Sequence, residues 1–258
     1  MNDWLHNLPV PWMALVVFAF TYLFAGALYA LVGVLAVGER ARSFKMISPG
    51  MLPPLGIIFG LFVAFTAAQV WSDNERAGAA VSREASALRS VEILATSFPD
   101  ETQAQLRSLI RQYIAEAANQ EWPIMAKRLG TLRTTPSALG DALHLIVGLP
   151  DGGEGQRTAR REMIISLDNA LDARRQRMLI SLSEVNFVKW LCLYLQAGCA
   201  LVAIAMVHCD NRLASAISTG IFATGIAASA LLIIAHDRPF TGQISVSPEP
   251  LLQVMPER

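Results

Sequence analysis

LGIIFGLFVAFTAAQVWSDNERAGAAVSREASALRSVEILATSF, residues 55–98, starts as membrane and ends as water-soluble helix, with no Gly-Pro break between the two. Up to Trp71 no side chain in it ionises. From Asp73 onward charges recur, while Val81, Ala85, Leu88, Val91 and Ala95 keep an apolar stripe at helical spacing. The pattern predicts one helix that leaves the bilayer and becomes an arm of a membrane-proximal domain. At 1.5 Å per residue it would reach roughly 65 Å, about twice the hydrocarbon thickness.

The rest of the composition agrees with a membrane setting. Of 258 residues 53% are hydrophobic and only 16% charged, with a formal net charge of zero. Soluble domains carry about 25% charged residues, so the deficit points to lipid. Zero net charge without a basic cluster argues against nucleic acid as a partner. Cys192, Cys199 and Cys209 all fall in or beside one apolar span, so no disulfide framework holds the polar middle. Without neighbouring histidines they read as packing residues rather than metal ligands.

Working outward, four spans frame a polar centre. Pro9 and Pro11 precede an uncharged run from Trp12 to Val37, long enough to cross. Its start, MNDWLHN, has no Lys or Arg, which favours an uncleaved span over a signal peptide. The second span covers about 52–71, opening on Pro53 and Pro54. The third covers about 188–207 and the fourth about 213–235, with a tight turn from His208 to Arg212 between them. Small residues recur at Gly56, Gly60 and Ala64, and again at Ala216, Gly220, Thr224 and Ala228. Both are close-packing stripes, for a neighbouring helix of the same chain or of a second copy.

Residues 72–184 read as all helical. Ser97 is placed to cap a helix whose face is Leu106, Ile110, Tyr113 and Ala117, and Trp122-Pro123 should break it. Thr135-Pro136 should start another, with Leu139, Leu143 and Val147 inward. From about Gln156 a last helix carries Ala159, Met163, Leu167, Leu171, Met178 and Leu182, and should run unbroken into the third span. The fold class expected is therefore all-α: a four-span bundle with a helical extramembrane domain carried on extensions of spans two and three. Its divisions fall at 1–71, 72–184, 185–236 and a tail, 237–258.

No catalytic constellation stands out. GxGxxG, P-loop, HExxH, CxxC and GxSxG patterns are all missing, and His6, His144, His208 and His236 are scattered. The loop PDGGEG (150–155) lacks the alternating carboxylates and terminal Glu of an EF-hand. Neither an enzymatic activity nor a cofactor is expected. Arginines that alternate with acids, as at Arg157 to Glu162 and Asp172 to Arg175, read as a solvated face or a salt-bridge seam between helices.

Three features go further. Ile58, Phe62 and Phe65 share a side of the second span, with the polar Thr66 and Gln69 towards its end. An apolar ring with polar residues at one mouth is how a hydrophobic constriction in a pore is built, although lipid-facing phenylalanines give the same pattern. Asp73, Glu75 and Arg76 sit where the helix leaves the membrane, as a charge ring or as interfacial anchors. Asp237 and Arg238 follow the last span at that same boundary, where a structural salt bridge is expected.

The segments 55–88, IRQYIAEAANQEWPIM (110–125) and DRPFTGQISVSPEP (237–250) together resemble a family of four-span membrane proteins known as bestrophin-like. The resemblance runs from about Leu52 to Pro250. It rests on the spacing of Trp71, Asp73, Arg76 and Glu84, on Glu121-Trp122-Pro123, and on Asp237-Arg238-Pro239-Phe240 with Ser247-Pro248-Glu249-Pro250. Bestrophins are oligomeric anion channels whose second span bears a phenylalanine neck and continues into a helical cytosolic domain. The resemblance therefore implies a homo-oligomer passing small anions, with Phe62 and Phe65 at the neck. No clustered acidic calcium clasp of the bestrophin kind is visible. The alternative is a non-conducting envelope scaffold whose central helices bind a partner.

Both short loops lie on one side of the membrane and carry Arg40, Arg42, Lys45 and Arg212, whereas residues 1–11 hold no basic residue. Basic short loops stay in the cytoplasm, which puts the central domain of this cell-membrane protein outside, opposite to a bestrophin's. In a background lacking the three native cysteines, Ser137→Cys should then react with a membrane-impermeant maleimide in cells whose outer membrane is permeabilised. Ser43→Cys should react only after lysis. The reverse pattern gives the bestrophin orientation.

Overall fold

The computed structural model describes residues 3–36, 43–44, 49–132, 136–150 and 152–257. Val37, at the end of the first expected span, and the loop residues Arg40, Arg42 and Lys45 lie outside these, as does Thr135. The described chain is helical: α1 Asp3–His6, α2 Val10–Leu35, α3 Leu52–Ala95, α4 Asp100–Glu116, α5 Trp122–Ala126, α6 Ser137–Val147, α7 Glu154–Ile180, α8 Phe187–Val207, α9 Arg212–His236 and α10 Glu249–Gln253. Four of them, α2, α3, α8 and α9, are long and apolar enough to cross a membrane. The chain is thus a multi-pass all-helical membrane protein. It divides into two compact units, one of residues 1–71 with 184–238, the other of residues 72–183 with 239–258.

In the membrane unit α2, α8 and α9 pack on one another. Their shared core includes Met13, Val17, Ala25, Trp190, Leu193, Ala197, Leu201, Ala223, Ile226 and Ala230. The membrane half of α3 joins this core along one edge, through Phe59, Ala67 and Val70. The Phe59 ring lies 5.7 Å from that of Phe222. Thr21 and Thr66, both buried, return their hydroxyls to the carbonyls four residues back, at 2.8 and 2.9 Å. That closes a polar group inside its own helix, where no water can serve it. The three cysteines are free.

The second unit begins with the water-soluble half of α3. Val81, Ala85, Leu88, Val91 and Ala95 are all buried, as are Leu106, Ile110, Tyr113 and Ala117 of the next segment. Several local expectations fail here, each for a physical reason. α4 is entered through Pro99 without a side-chain cap; Asp100 and Glu101 meet the helix dipole instead of Ser97. Trp122-Pro123 does not break the helix, because Pro123 falls in the first turn of α5, where its missing N–H is not needed. A π-helical turn, Ala117–Glu121, links α4 to α5. The extra residue of that turn shifts the inward face by one position, so Trp122 and Met125 become the buried pair. In α6 the buried face is Leu139, Ala142 and Ile146, while Val147 is exposed.

The last helix of this unit does not run into the third span. α7 ends at Ile180 and α8 begins at Phe187. Ser181 and Ser183 donate their hydroxyls to the carbonyls of Met178 and Ile180, at 2.7 and 2.6 Å, and so satisfy the terminal acceptors of α7. Asn186 then caps α8 by accepting from the Val188 N–H at 3.0 Å. Four polar residues in a row of six thus end one helix and start another without Pro or Gly.

The segment after Arg238, expected as a tail, belongs to the second unit's core. Phe240 and Leu251 are buried there. Phe240 meets the Trp122 ring edge to face at 5.8 Å, and the Trp122 indole N–H donates to the Val246 carbonyl at 3.0 Å. Arg111 donates to the Pro256 carbonyl at 3.0 Å. Phe240→Ala should therefore cost about 3–5 kcal/mol, the usual range for emptying a buried phenylalanine site. Thermal unfolding of the detergent-solubilised protein measures it; an unchanged midpoint would mean that the segment is not part of the folded core.

Candidate functional site

On an α-helix Ile58, Phe62, Phe65 and Gln69 are spaced by four, three and four residues, so their Cβ atoms share one narrow arc. Ile58 and Phe65 are 53% and 69% exposed, and Leu61 beside them is exposed as well. Phe62 sits at the flank, half-buried against the membrane core. Thr66 leaves this arc: it is buried with Phe59 and Ala67 and serves the Phe62 carbonyl. The second span therefore has an inward edge and an outward apolar face on which Ile58, Leu61 and Phe65 are exposed.

At the end of that face Gln69 does not stand alone. The Lys189 ammonium donates to the Gln69 side-chain oxygen. Lys189, at the start of the third span, thus turns towards the second span. The amide group of Gln69 and the ammonium of Lys189 thus form a cluster of donors beside the apolar arc, a polarity that attracts anions. Trp71, two residues on, is half exposed, as an interfacial anchor would be.

Of the boundary charges, Arg76 pairs with Asp73 one turn before it and also donates to the Ser72 carbonyl at 3.3 Å. Glu75 is exposed. Asp237 and Arg238 are buried at the end of α9. Asp237 accepts from the Val185 N–H at 2.6 Å, with the His6 imidazole 3.9 Å away. Arg238 donates to Glu184 at 3.3 Å. These two residues tie the end of the fourth span to the start of the third.

Along the stripes, a Cβ added at Gly56, Gly60 or Gly220 would meet nothing within 4 Å. Ala64, Ala216, Thr224 and Ala228 are exposed, and the Thr224 hydroxyl meets that of Tyr22 at 2.7 Å. The second-span stripe has open space at its glycines, whereas Ala216 and Gly220 of the fourth span share a cavity wall with Tyr22 and Gly26 of the first.

The second unit holds a charged cluster that sequence reading missed. Arg177 is fully buried and donates through Nε and Nη2 to the two oxygens of Glu84, at 2.8 and 2.9 Å. Nη2 also reaches Glu121 at 2.8 Å, and Arg174 donates to the other Glu121 oxygen at 2.8 Å. The Tyr113 hydroxyl donates to Glu84. Trp122 covers the guanidinium face, its centroid 4.6 Å from the Arg177 carbon. Burial foremost, then the adjacent Glu84 carboxylate, pushes the Tyr113 phenol well above its ordinary value of 10.0, so it stays a donor. Burial works against the charge on Arg177, but the Glu84 carboxylate, with Tyr113 and Glu121 behind it, more than offsets this and holds the guanidinium protonated. A signal existed: Glu84 sits three residues after Val81 and four before Leu88, and Arg177 continues the row Met163, Leu167, Ala170, Arg174. A charge on an apolar stripe needs a buried partner.

Residues 11–251 match the family model described as Bestrophin-like domain. Crystal structures of a bacterial bestrophin homologue from Klebsiella pneumoniae share the fold. One determined by zinc-based phasing gives a TM-score of 0.68 at 13% identity, covering 93% of this chain and 95% of that chain. A single-substitution variant gives 0.72 at 13% identity, covering 94% and 98%. No match was found among curated proteins.

Two acids and two arginines share the buried cluster, which sets how it should respond to mutation. Glu84→Met or Arg177→Met alone strands a buried charge and should cost about 3–5 kcal/mol. The double replacement leaves Glu121 with Arg174 and should cost much less than the sum. Thermal melting of all three variants in detergent checks this; additive losses would show that the two side chains do not depend on each other.

Proposed function

We propose, for a chain that belongs to the bestrophin-like family, that several copies assemble with their second spans around a common axis and pass small anions along it. One observation carries the reading: Ile58 and Phe65, with Phe62 on their flank, form an apolar arc whose exposed side points away from their own subunit's core, and it ends at Gln69 and Lys189. Around an axis the arc makes a narrow neck that closes by dewetting, since an ion entering it loses hydration. The donors beside it favour anions over cations. The open stripe at Gly56 and Gly60 gives the copies room for close helix contact. On this reading Asp73, Glu75 and Arg76 are boundary charges of the pathway. The competing reading, a scaffold, needs only packing, with Lys189 as a tie between the second and third spans.

Chloride flux into proteoliposomes tests it. Phe62→Ala or Phe65→Ala should wet the neck and raise flux several-fold. Gln69→Glu should reduce it by pairing with Lys189 and adding negative charge, an effect that weakens as salt rises. Trp71→Ala should alter insertion more than selectivity. If wild type and both alanine variants give no more flux than protein-free liposomes for any small anion, or if the detergent particle is a strict monomer, the scaffold reading replaces this one.

A further inference from the structure

A crevice lies between the first and fourth spans. It consists of two cavities that share Tyr29 as a wall. The larger, about 310 Å³, is lined by Arg212, Ser215 and Cys209 where α9 begins. The smaller, about 160 Å³, is lined by Tyr22, Gly26, Thr219 and Gly220 further along the same helices. Arg212, Ser215 and Thr219 are spaced by three and four residues, so one face of α9 presents them in a row over about 10 Å.

The chemistry along that row changes in a definite order. At the mouth stand an exposed guanidinium and the N-terminus of a helix of 25 residues, both favouring negative charge. The Tyr29 hydroxyl ties the two helices there by donating to the Arg212 carbonyl at 3.2 Å. Among the described residues no carboxylate lines either cavity. Below the mouth come hydroxyls: Ser215 and Thr219 are 3% and 4% exposed, and the Thr219 oxygen has no hydrogen-bond partner. Every other buried threonine of the membrane unit serves a carbonyl four residues back. A buried hydroxyl left without a partner costs about 1–3 kcal/mol, so this one points to something that fills the crevice. Alongside, the surface is open and apolar, with Leu213, Ile217 and Ile221 exposed and Gly220 leaving its backbone bare.

We propose that this crevice binds an anionic phospholipid from the leaflet that meets the short loops. The phosphate sits at Arg212 and the helix N-terminus. The ester carbonyls, which lie just below a phospholipid's phosphate, accept from Ser215 and Thr219. The acyl chains run over the apolar surface of α9. A soluble phosphate satisfies the mouth alone and leaves Thr219 unserved, so the lipid is the better fit. The assignment is independent of ion conduction.

The test uses full-length protein purified and delipidated in neutral detergent. Its thermal midpoint is read against added phosphatidylglycerol, phosphatidylcholine or inorganic phosphate, and bound lipid is counted by native mass spectrometry. Phosphatidylglycerol should raise the midpoint and stay bound; phosphatidylcholine and phosphate should do neither. Arg212→Gln should weaken apparent phosphatidylglycerol affinity roughly tenfold, as befits a lost charge-assisted phosphate contact. Thr219→Val gives a separate reading. Because it removes an unserved hydroxyl, it should raise the lipid-free midpoint while shrinking the gain on adding phosphatidylglycerol. The proposal is overturned if phosphatidylcholine or phosphate stabilises as well as phosphatidylglycerol, if Arg212→Gln binds as tightly as wild type, or if Thr219→Val lowers the lipid-free midpoint.

Discussion

A guanidinium buried away from water has to find an acceptor for its donors and a countercharge for its cation, and Arg177 imposes that demand on the whole second unit. Glu84 from α3 meets it on one side and Glu121 from the π-helical turn on another, with the Met125 sulfur 3.4 Å from Nη1. Trp122 closes the face. These partners fix three segments in register. The π-helical turn follows from the same demand: continued as a regular helix, the row Leu106, Ile110, Tyr113 and Ala117 would turn residue 124 inward. One added residue brings Glu121 beside Arg177 and lays Trp122 over it. Phe240 then packs on Trp122, so the chain after the fourth span is held by the cluster as well.

Much of this fold was legible because burial writes itself as period. The rows at 81–95 and 106–117 were read residue by residue and are buried as read. What escaped was anything that depends on a partner distant in sequence. Glu84 and Arg177 are 93 residues apart, and nothing local says that they meet. The break at Ser181–Asn186 escaped for a different reason. It is made by serine hydroxyls and an asparagine cap, which are as common on helix surfaces as at helix ends. In α6 the choice between Leu143–Val147 and Ala142–Ile146 was a choice between four-residue and three-then-four spacing, and only packing decides it.

The candidate site was half legible on similar grounds. Spacing alone places Ile58, Phe62, Phe65 and Gln69 on one arc of a helix. Thr66 was grouped with them because it is polar and close in sequence, but it lies a full side step round the helix and is spent on its own backbone. In water an exposed phenylalanine row would mark an interface; in lipid it costs nothing, so apolar exposure carries little information there. Information returns where a polar group is spent. Lys189 is drawn to Gln69 rather than out along its own helix, and that choice gives the arc a chemical direction.

The two units solve one problem, what to do with polar atoms out of reach of water, in opposite ways. The extramembrane unit pairs full charges across helices, which demands distant partners and in return specifies how the helices meet. The membrane unit keeps its hydroxyls local: Thr21, Thr66 and Thr224 each bond the carbonyl one turn back, at 2.8 to 2.9 Å. Such bonds cost no neighbour anything, so they leave helix faces free to slide against lipid or another helix. They also specify almost nothing. Specificity in the membrane unit must then come from the polar groups that reach beyond their own helix: the Lys189–Gln69 pair, the Asp237 and Arg238 ties, and the Tyr22 and Tyr29 hydroxyls that meet Thr224 and the Arg212 carbonyl. These join one segment to another. The hydroxyl of Thr219 faces a crevice instead, and the same economy of polar groups says that its partner comes from outside the chain.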